Sequence, residues 1–246
     1  IGEMIRKYVE KVLERDAKQT PFRYIESEKK IKCLFPLTDK SNIQLKGFID
    51  RIDEVRDVVR IIDYKSGSGT TQFTSVEALF DKADTDRSKA VMQVFMYAWM
   101  FNRSVQLSTA IQPGIYYMRT LFSSSFDPGI YHRTDRFKTE QVLDFANYCT
   151  DFEDSLRNCL DEIFDTETPF VQTPNGKACM YCPFMDICGK YCFYRFPIYS
   201  STISFRKRLN GRSFRKQSMV SSIQSGWLKK LSGLIPITLK SLCLNI

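Results

Sequence analysis

Histidine is almost absent from this chain: among 246 residues only His132 is present. One histidine cannot supply a His-rich metal site, an H-E-x-x-H protease centre or a finger with two Cys and two His ligands. Long apolar runs are missing as well. No stretch approaches the roughly 18 residues of a membrane-spanning helix, so no membrane association is expected. The N-terminal "IGEMIRKYVEKVLERD" has neither an initiating Met nor a secretory signal pattern. It reads as the inside of an amphipathic helix, and the expectation is that chain upstream of it is missing. Without a secretory signal, a disulfide framework is the weaker reading of the eight cysteines, and a cytoplasmic location the stronger. Acidic residues are lacking from residue 191 to the end, where ten Lys or Arg occur. Residues 1 to 190 hold 26 basic and 28 acidic side chains, a net of −2, so the overall +8 belongs to the tail. A nucleic-acid function therefore cannot be argued from net charge.

What is present is an ordinary globular composition, 43% hydrophobic and 26% charged. Residues 2 to 18 predict a helix with Met4, Ile5, Tyr8, Val12 and Leu13 on one side, ended by Pro21. "FRYIESEKKIKCLFPL" predicts a long strand, "TDKSN" a turn and "IQLKGFIDRID" a second strand. "EVRD" is a tight connection lacking the Asn-Gly signature. "VVRIIDYK" follows as a third strand and "SGSGTTQ" as a flexible loop. Residues 88 to 102 are apolar almost all round, which predicts a buried helix. "PGIYYMR" reads as another strand, and residues 139 to 165 as a helical stretch.

The stretch "GFIDRIDEVRDVVRIIDYKSG" places aspartates on strands that otherwise call for apolar residues. In a hairpin turning on Arg56 and Asp57, opposed residues have numbers summing to 113. Asp50 then faces Asp63, with Cβ atoms about 5 Å apart. The strand period of two puts Lys65 on the face of Asp63. Two carboxylates this close repel unless a cation lies between them. Lys65 is one candidate, giving a salt-bridged trio at a sheet edge. A hard divalent ion is the other. Gln93 is the one clearly polar residue in the middle of the buried helix, and Tyr97 lies one turn on. Either Gln93 caps a core backbone group, or the two point together at the aspartates.

The ordered set G-x-x-D-R-x-D (Gly47 to Asp53), I-I-D-Y-K-S-G (Ile61 to Gly67) and Q-x-x-x-Y (Gln93 to Tyr97) resembles the RecB-like branch of the PD-(D/E)xK nuclease superfamily, over roughly residues 20 to 190. The closest flavour is the AddB-type nuclease domain at the C-terminus of bacterial helicase–nuclease subunits. The resemblance implies an α/β, restriction-endonuclease-like fold with a mixed central sheet flanked by helices. It implies that Asp50 and Asp63, with the backbone carbonyl of Tyr64, bind Mg²⁺ or Mn²⁺. Lys65 would orient or help deprotonate the attacking water and stabilise charge on the phosphate, with Gln93 and Tyr97 positioning the site and the DNA backbone. The branch usually carries a further motif, often a histidine, on a helix upstream of the first strand, and none lies there. Glu26 or Glu28 on the preceding strand is the stand-in, unless that motif sits in missing sequence or the site is degenerate. Surface glutamates of an edge strand are the plainer reading of both.

Four cysteines crowd into "CMYCPFMDICGKYC": Cys179, Cys182, Cys188 and Cys192. Thiolate sites of this kind take Zn²⁺ or an iron–sulfur cluster. The first three resemble the downstream ligands of the AddB-type [4Fe–4S] cluster, whose fourth cysteine lies well upstream of the core. Here the fourth ligand is open between missing sequence, Cys192 and Cys33. A zinc site of four local thiolates is the alternative, and a relic site binding nothing a third. The expected organisation is a nuclease domain over residues 1–192, including the Cys-rich staple 179–192, then a poorly ordered basic tail, 193–246. The expected activity is metal-dependent, exonucleolytic hydrolysis of DNA in bacterial repair or recombination, beside a helicase subunit or a helicase-like N-terminal region. The alternative is a catalytically silent DNA-binding or scaffold module that keeps the fold.

Overall fold

The computed structural model describes residues 2–84, 86–105, 108–169, 171, 173, 179, 182, 237 and 238. The chain divides into two compact units, residues 1–164 with 236–246, and residues 165–235. In the first unit the order is α1 (Gly2–Ala17), β1 (Arg23–Pro36), β2 (Asn42–Val55), β3 (Val58–Lys65), β4 (Gln72–Phe73), α2 (Lys89–Val105), β5 (Ile111–Tyr117), β6 (Tyr131–Arg133), β7 (Thr139–Gln141), α3 (Cys149–Phe164) and β8 (Ile237–Thr238). The main sheet runs β1-β2-β3-β5, with β8 beside β2. β1, β2 and β3 are antiparallel neighbours, whereas β5 lies parallel to β3, so the sheet is mixed. The crossover between β3 and β5 contains α2, as a parallel pair requires. The fold is α/β with a mixed sheet and flanking helices, as expected.

Alternation along the strands explains the layering. Val59 and Ile61 of β3 face one way, into a core shared with Val91, Val94, Phe95 and Ala98 of α2 and with Phe152, Leu156 and Leu160 of α3. Ile62 faces the other way, into a smaller cluster with Tyr116 and Leu121, against which Tyr8 and Val12 of α1 pack. α2 is buried at every position from Val94 to Phe101, consistent with a helix that is apolar almost all round. Each fully buried large side chain there contributes about 1.5–3 kcal/mol.

The β2–β3 hairpin turns on Arg56 and Asp57, both left-handed with φ of 50° and 63°. Two successive positive φ values are the requirement of a type I′ turn, met here without glycine. The register runs from Val55↔Val58 to Arg51↔Ile62, the pairing expected from the sequence.

Three expectations need correction. The helical stretch predicted over 139–165 is a helix only from Cys149. Thr139–Gln141 instead pairs with β6. Asp144, extended at φ −140°, caps the 3₁₀ turn Phe145–Tyr148 by accepting the Ala146 N–H, so no helix can pass through it. Second, the predicted apolar side of α1 is only partly used: Tyr8 and Val12 pack, whereas Met4, Ile5 and Leu13 stay exposed. The sheet surface beneath α1 narrows to Ile62 and Tyr116, too small to cover the whole stripe. Third, β4, β6 and β7 form a separate small sheet that was not anticipated, because strands of two or three residues carry no periodicity. The expected domain boundary at 192/193 lies outside the described residues.

Candidate active site

β3 carries the site because its two faces do different work. Asp63 and Lys65 continue the face of Ile61 toward α2, while Ile62 and Tyr64 face α1. Asp63 is 2% exposed. A buried carboxylate is costly unless compensated. Lys65 Nζ lies 2.8 Å from Asp63 Oδ2. The same ammonium donates to Gln93 Oε1 at 2.6 Å, reaching from the sheet to α2. Gln93 Nε2 in turn donates to Tyr97 Oη at 2.8 Å. The half-buried glutamine is thus held at both ends of its amide, which fixes its orientation. Asp63, Lys65, Gln93 and Tyr97 form one continuous polar chain.

Asp50 joins from β2. Its Oδ2 accepts the backbone N–H of Tyr64 at 2.7 Å, next to Asp63 in sequence. In an extended strand the N–H and C=O of one residue point to the same neighbour. The Tyr64 carbonyl is thereby directed to the Asp50 side, and Tyr64's ring to the opposite face. Tyr117, the parallel partner of Lys65, adds a buried phenol. Burial and the Asp63 charge push its pKa up.

The glutamates are placed differently. Glu26 is exposed and pairs with Lys29. Glu28 is exposed and left-handed, at φ 51°. It sits between the pairs Ser27↔Arg51 and Lys29↔Ile49, hence opposite Asp50 by count. Among the described residues no three His, Cys, Asp or Glu side chains group closely enough to hold a metal by themselves. Of the cysteines, Cys188 and Cys192 lie outside the described residues. Cys179 is buried and Cys182 donates its N–H to the Cys179 carbonyl at 3.2 Å. Cys33 packs against the core, where burial pushes its thiol up to about 11.

One cluster escaped the sequence reading. Behind the site, on the α1 face, Asp53 is fully buried between two guanidinium groups. Arg60 donates from Nε to Asp53 Oδ1 at 2.6 Å and from Nη2 to Oδ2 at 2.8 Å. Arg51 reaches Asp53 Oδ2 at 2.7 Å, Asp16 Oδ2 at 2.7 Å and Tyr64 Oη at 3.2 Å. Gln19 accepts from Arg60. Burial alone would lower the Arg51 pKa, but its bonds to Asp16 and Tyr64 outweigh it and raise the value. The signal was available: Asp53 and Arg60 sum to 113, so the hairpin register opposes unlike charges there.

The residues fit a divalent ion. Two carboxylates and a carbonyl are hard oxygen donors, and Mg²⁺ is commonly held by one or two carboxylates with the remaining positions left to water and substrate phosphate.

A family model described as the PD-(D/E)XK nuclease superfamily matches residues 2–189. The chain belongs to this superfamily. Membership implies a phosphodiester-hydrolysing nuclease, and such nucleases typically use divalent metals such as Mg²⁺. No curated protein and no solved structure matches the chain. Among the described residues no helix is long and apolar enough to cross a membrane.

Proposed function

We propose that this protein is a Mg²⁺- or Mn²⁺-dependent deoxyribonuclease of the RecB-like, AddB-type branch. It acts exonucleolytically on DNA ends in the cytoplasm, in bacterial repair or recombination, beside a helicase subunit or a helicase-like region. The observation that carries the reading is Lys65, held between Asp63 on its own strand and Gln93 on α2. An ammonium has three donors, and two are committed here. The third is available for a phosphoryl oxygen, where it offsets charge developing in the transition state.

Asp50, Asp63 and the Tyr64 carbonyl would hold the ion. When bound, it supplies Lewis acidity and lowers the pKa of an attacking water. Asp50 is kept in place by the Tyr64 N–H, and Asp63 by Lys65. Gln93 and Tyr97 set the height of the ammonium above the sheet. Glu28, opposite Asp50 by register, is the candidate third acid of the row. The cysteines of the 179–192 stretch are proposed as thiolate ligands of a [4Fe–4S] cluster, with Zn²⁺ as the alternative, in a nuclease domain proposed to run to 192. The basic residues 193–246 lie beyond it.

Labelled linear DNA incubated with the full chain and Mg²⁺ or Mn²⁺ tests the assignment. Mononucleotides or short oligonucleotides released from an end, abolished by chelator and by Asp63→Ala, are expected. Internal cuts without end dependence contradict the exonuclease part. Wild type and Asp63→Ala alike in giving no product leave a silent, DNA-binding scaffold.

A further inference from the structure

The most exposed large apolar side chain among the described residues is Phe137, at 90%. A lone exposed apolar residue needs no explanation in itself. Its setting is what distinguishes this one. Phe137 lies in the turn joining β6 and β7, and that turn is ordered: the N–H groups of Thr134 and Asp135 both donate to the Lys138 carbonyl, at 3.1 and 3.4 Å. The ring is therefore presented outward by a closed hairpin. Arg136 Cζ sits 5.4 Å from its centroid. Arg133 at the stem and Lys138 beside the ring are exposed, with Lys138 paired to Glu140 at 2.5 Å. Asp135 turns its carboxylate to the Arg136 N–H.

The hairpin is connected to the site. β6 pairs with β4, and β4 follows Lys65 after a six-residue loop, residues 66–71. That loop is tied to α2 where Ser88 Oγ donates to the Thr70 carbonyl at 2.9 Å. Ser88 stands five residues before Gln93, about 7–8 Å along a helix. A cavity of about 270 Å³ lies beside Ser88, lined by Thr70, Gln72, Ser88 and Arg87, and reaching Arg133 at the hairpin stem. Asp84 and Asp86 also line it, so the cavity itself has no single sign. At the hairpin, Arg133, Arg136 and Lys138 outnumber Asp135 and Glu140 around an aromatic face.

An uncovered ring beside guanidinium and ammonium groups is the combination that holds single-stranded nucleic acid, by base stacking and phosphate contacts. We propose that the β6–β7 hairpin is a single-strand DNA platform: Phe137 stacks on a base while Arg133, Arg136 and Lys138 hold the flanking phosphates, on the same domain that carries Asp63 and Lys65. This rests on the nuclease reading for the choice of DNA. Its test does not depend on cleavage.

The experiment is fluorescence anisotropy of a labelled oligothymidylate with the full chain in chelator, for wild type, Phe137→Ala, Phe137→Trp and Arg136→Ala. Phe137→Ala is expected to weaken binding roughly tenfold, with Phe137→Trp restoring it and its indole emission quenched by the oligonucleotide. Arg136→Ala should weaken binding and flatten its salt dependence. Phe137→Ala binding as tightly as wild type, or indole emission indifferent to the oligonucleotide, overturns the platform. Loss of cleavage with this binding pattern intact overturns only the nuclease reading.

Discussion

At the scale of the residue, the molecule separates charge into two clusters of different purpose. Asp53 is enclosed by Arg51 and Arg60 with no room for anything else, which is a structural arrangement. Asp63 is met by Lys65, whose side chain is 28% exposed. Replacing Asp53 by Ala leaves two buried guanidinium groups short of a partner, and should cost about 3–5 kcal/mol in urea unfolding. Replacing Lys65 by Met should lower the cleavage rate by orders of magnitude, while urea unfolding changes far less than for Asp53→Ala. Tyr116 gives a pH-dependent case. Its hydroxyl is buried with no hydrogen-bond partner among the described residues, and burial together with the Asp16 charge pushes it up to about 12. Folding raises this pKa, so its contribution to stability is complete below the unfolded value of 10.0 and is lost as pH rises through about 12. Tyr116→Phe keeps the ring and removes the unsatisfied hydroxyl. It should gain about 1 kcal/mol at neutral pH, and denaturation followed from pH 9 to pH 12 should move to higher pH.

At the scale of the element, the β2–β3 hairpin sets the geometry of the site. Its turn holds Arg56 and Asp57 left-handed, a conformation that costs a non-glycine residue about 1 kcal/mol or more. Arg56→Asn with Asp57→Gly supplies the residues this turn favours. The double variant should raise thermal stability by about 1 kcal/mol and leave cleavage unchanged, since the register is already fixed. The loop after Lys65 is more sensitive. A Cβ on Gly69 would lie 2.7 Å from Tyr117 Cζ and closer still to its hydroxyl. Gly69→Ala must displace either the loop or the ring beside Lys65. Its effect should appear as a fall in cleavage rate larger than any change in melting temperature.

At the scale of the whole molecule, what was legible in the sequence was whatever repeats or pairs over several residues. The long strands, the all-round apolar helix and the hairpin register followed from period and turn position. Asp50, Asp63, Lys65, Gln93 and Tyr97 were singled out by type and spacing. The structure joins Asp63, Lys65, Gln93 and Tyr97 by contacts of 2.6 to 2.8 Å and fastens Asp50 to the neighbouring Tyr64 amide. The small β4-β6-β7 sheet was illegible because its strands are shorter than one alternation. The start of α3 was misread because Asp144 acts through its side chain, as a cap, rather than through hydropathy. The Asp53–Arg60 pair could have been read from the hairpin register, whereas the bond from Arg51 to Asp16 needs the tertiary placement of α1, which no local pattern encodes.

The central claim is the proposed one, that Asp50 and Asp63 are the carboxylates that hold a divalent ion. Calorimetric titration of Mn²⁺ into the full chain, in wild type and in Asp50→Asn and Asp63→Asn, addresses it directly. The account predicts binding in wild type that each substitution weakens at least tenfold. Both variants taking up Mn²⁺ with the wild-type affinity and stoichiometry would contradict it.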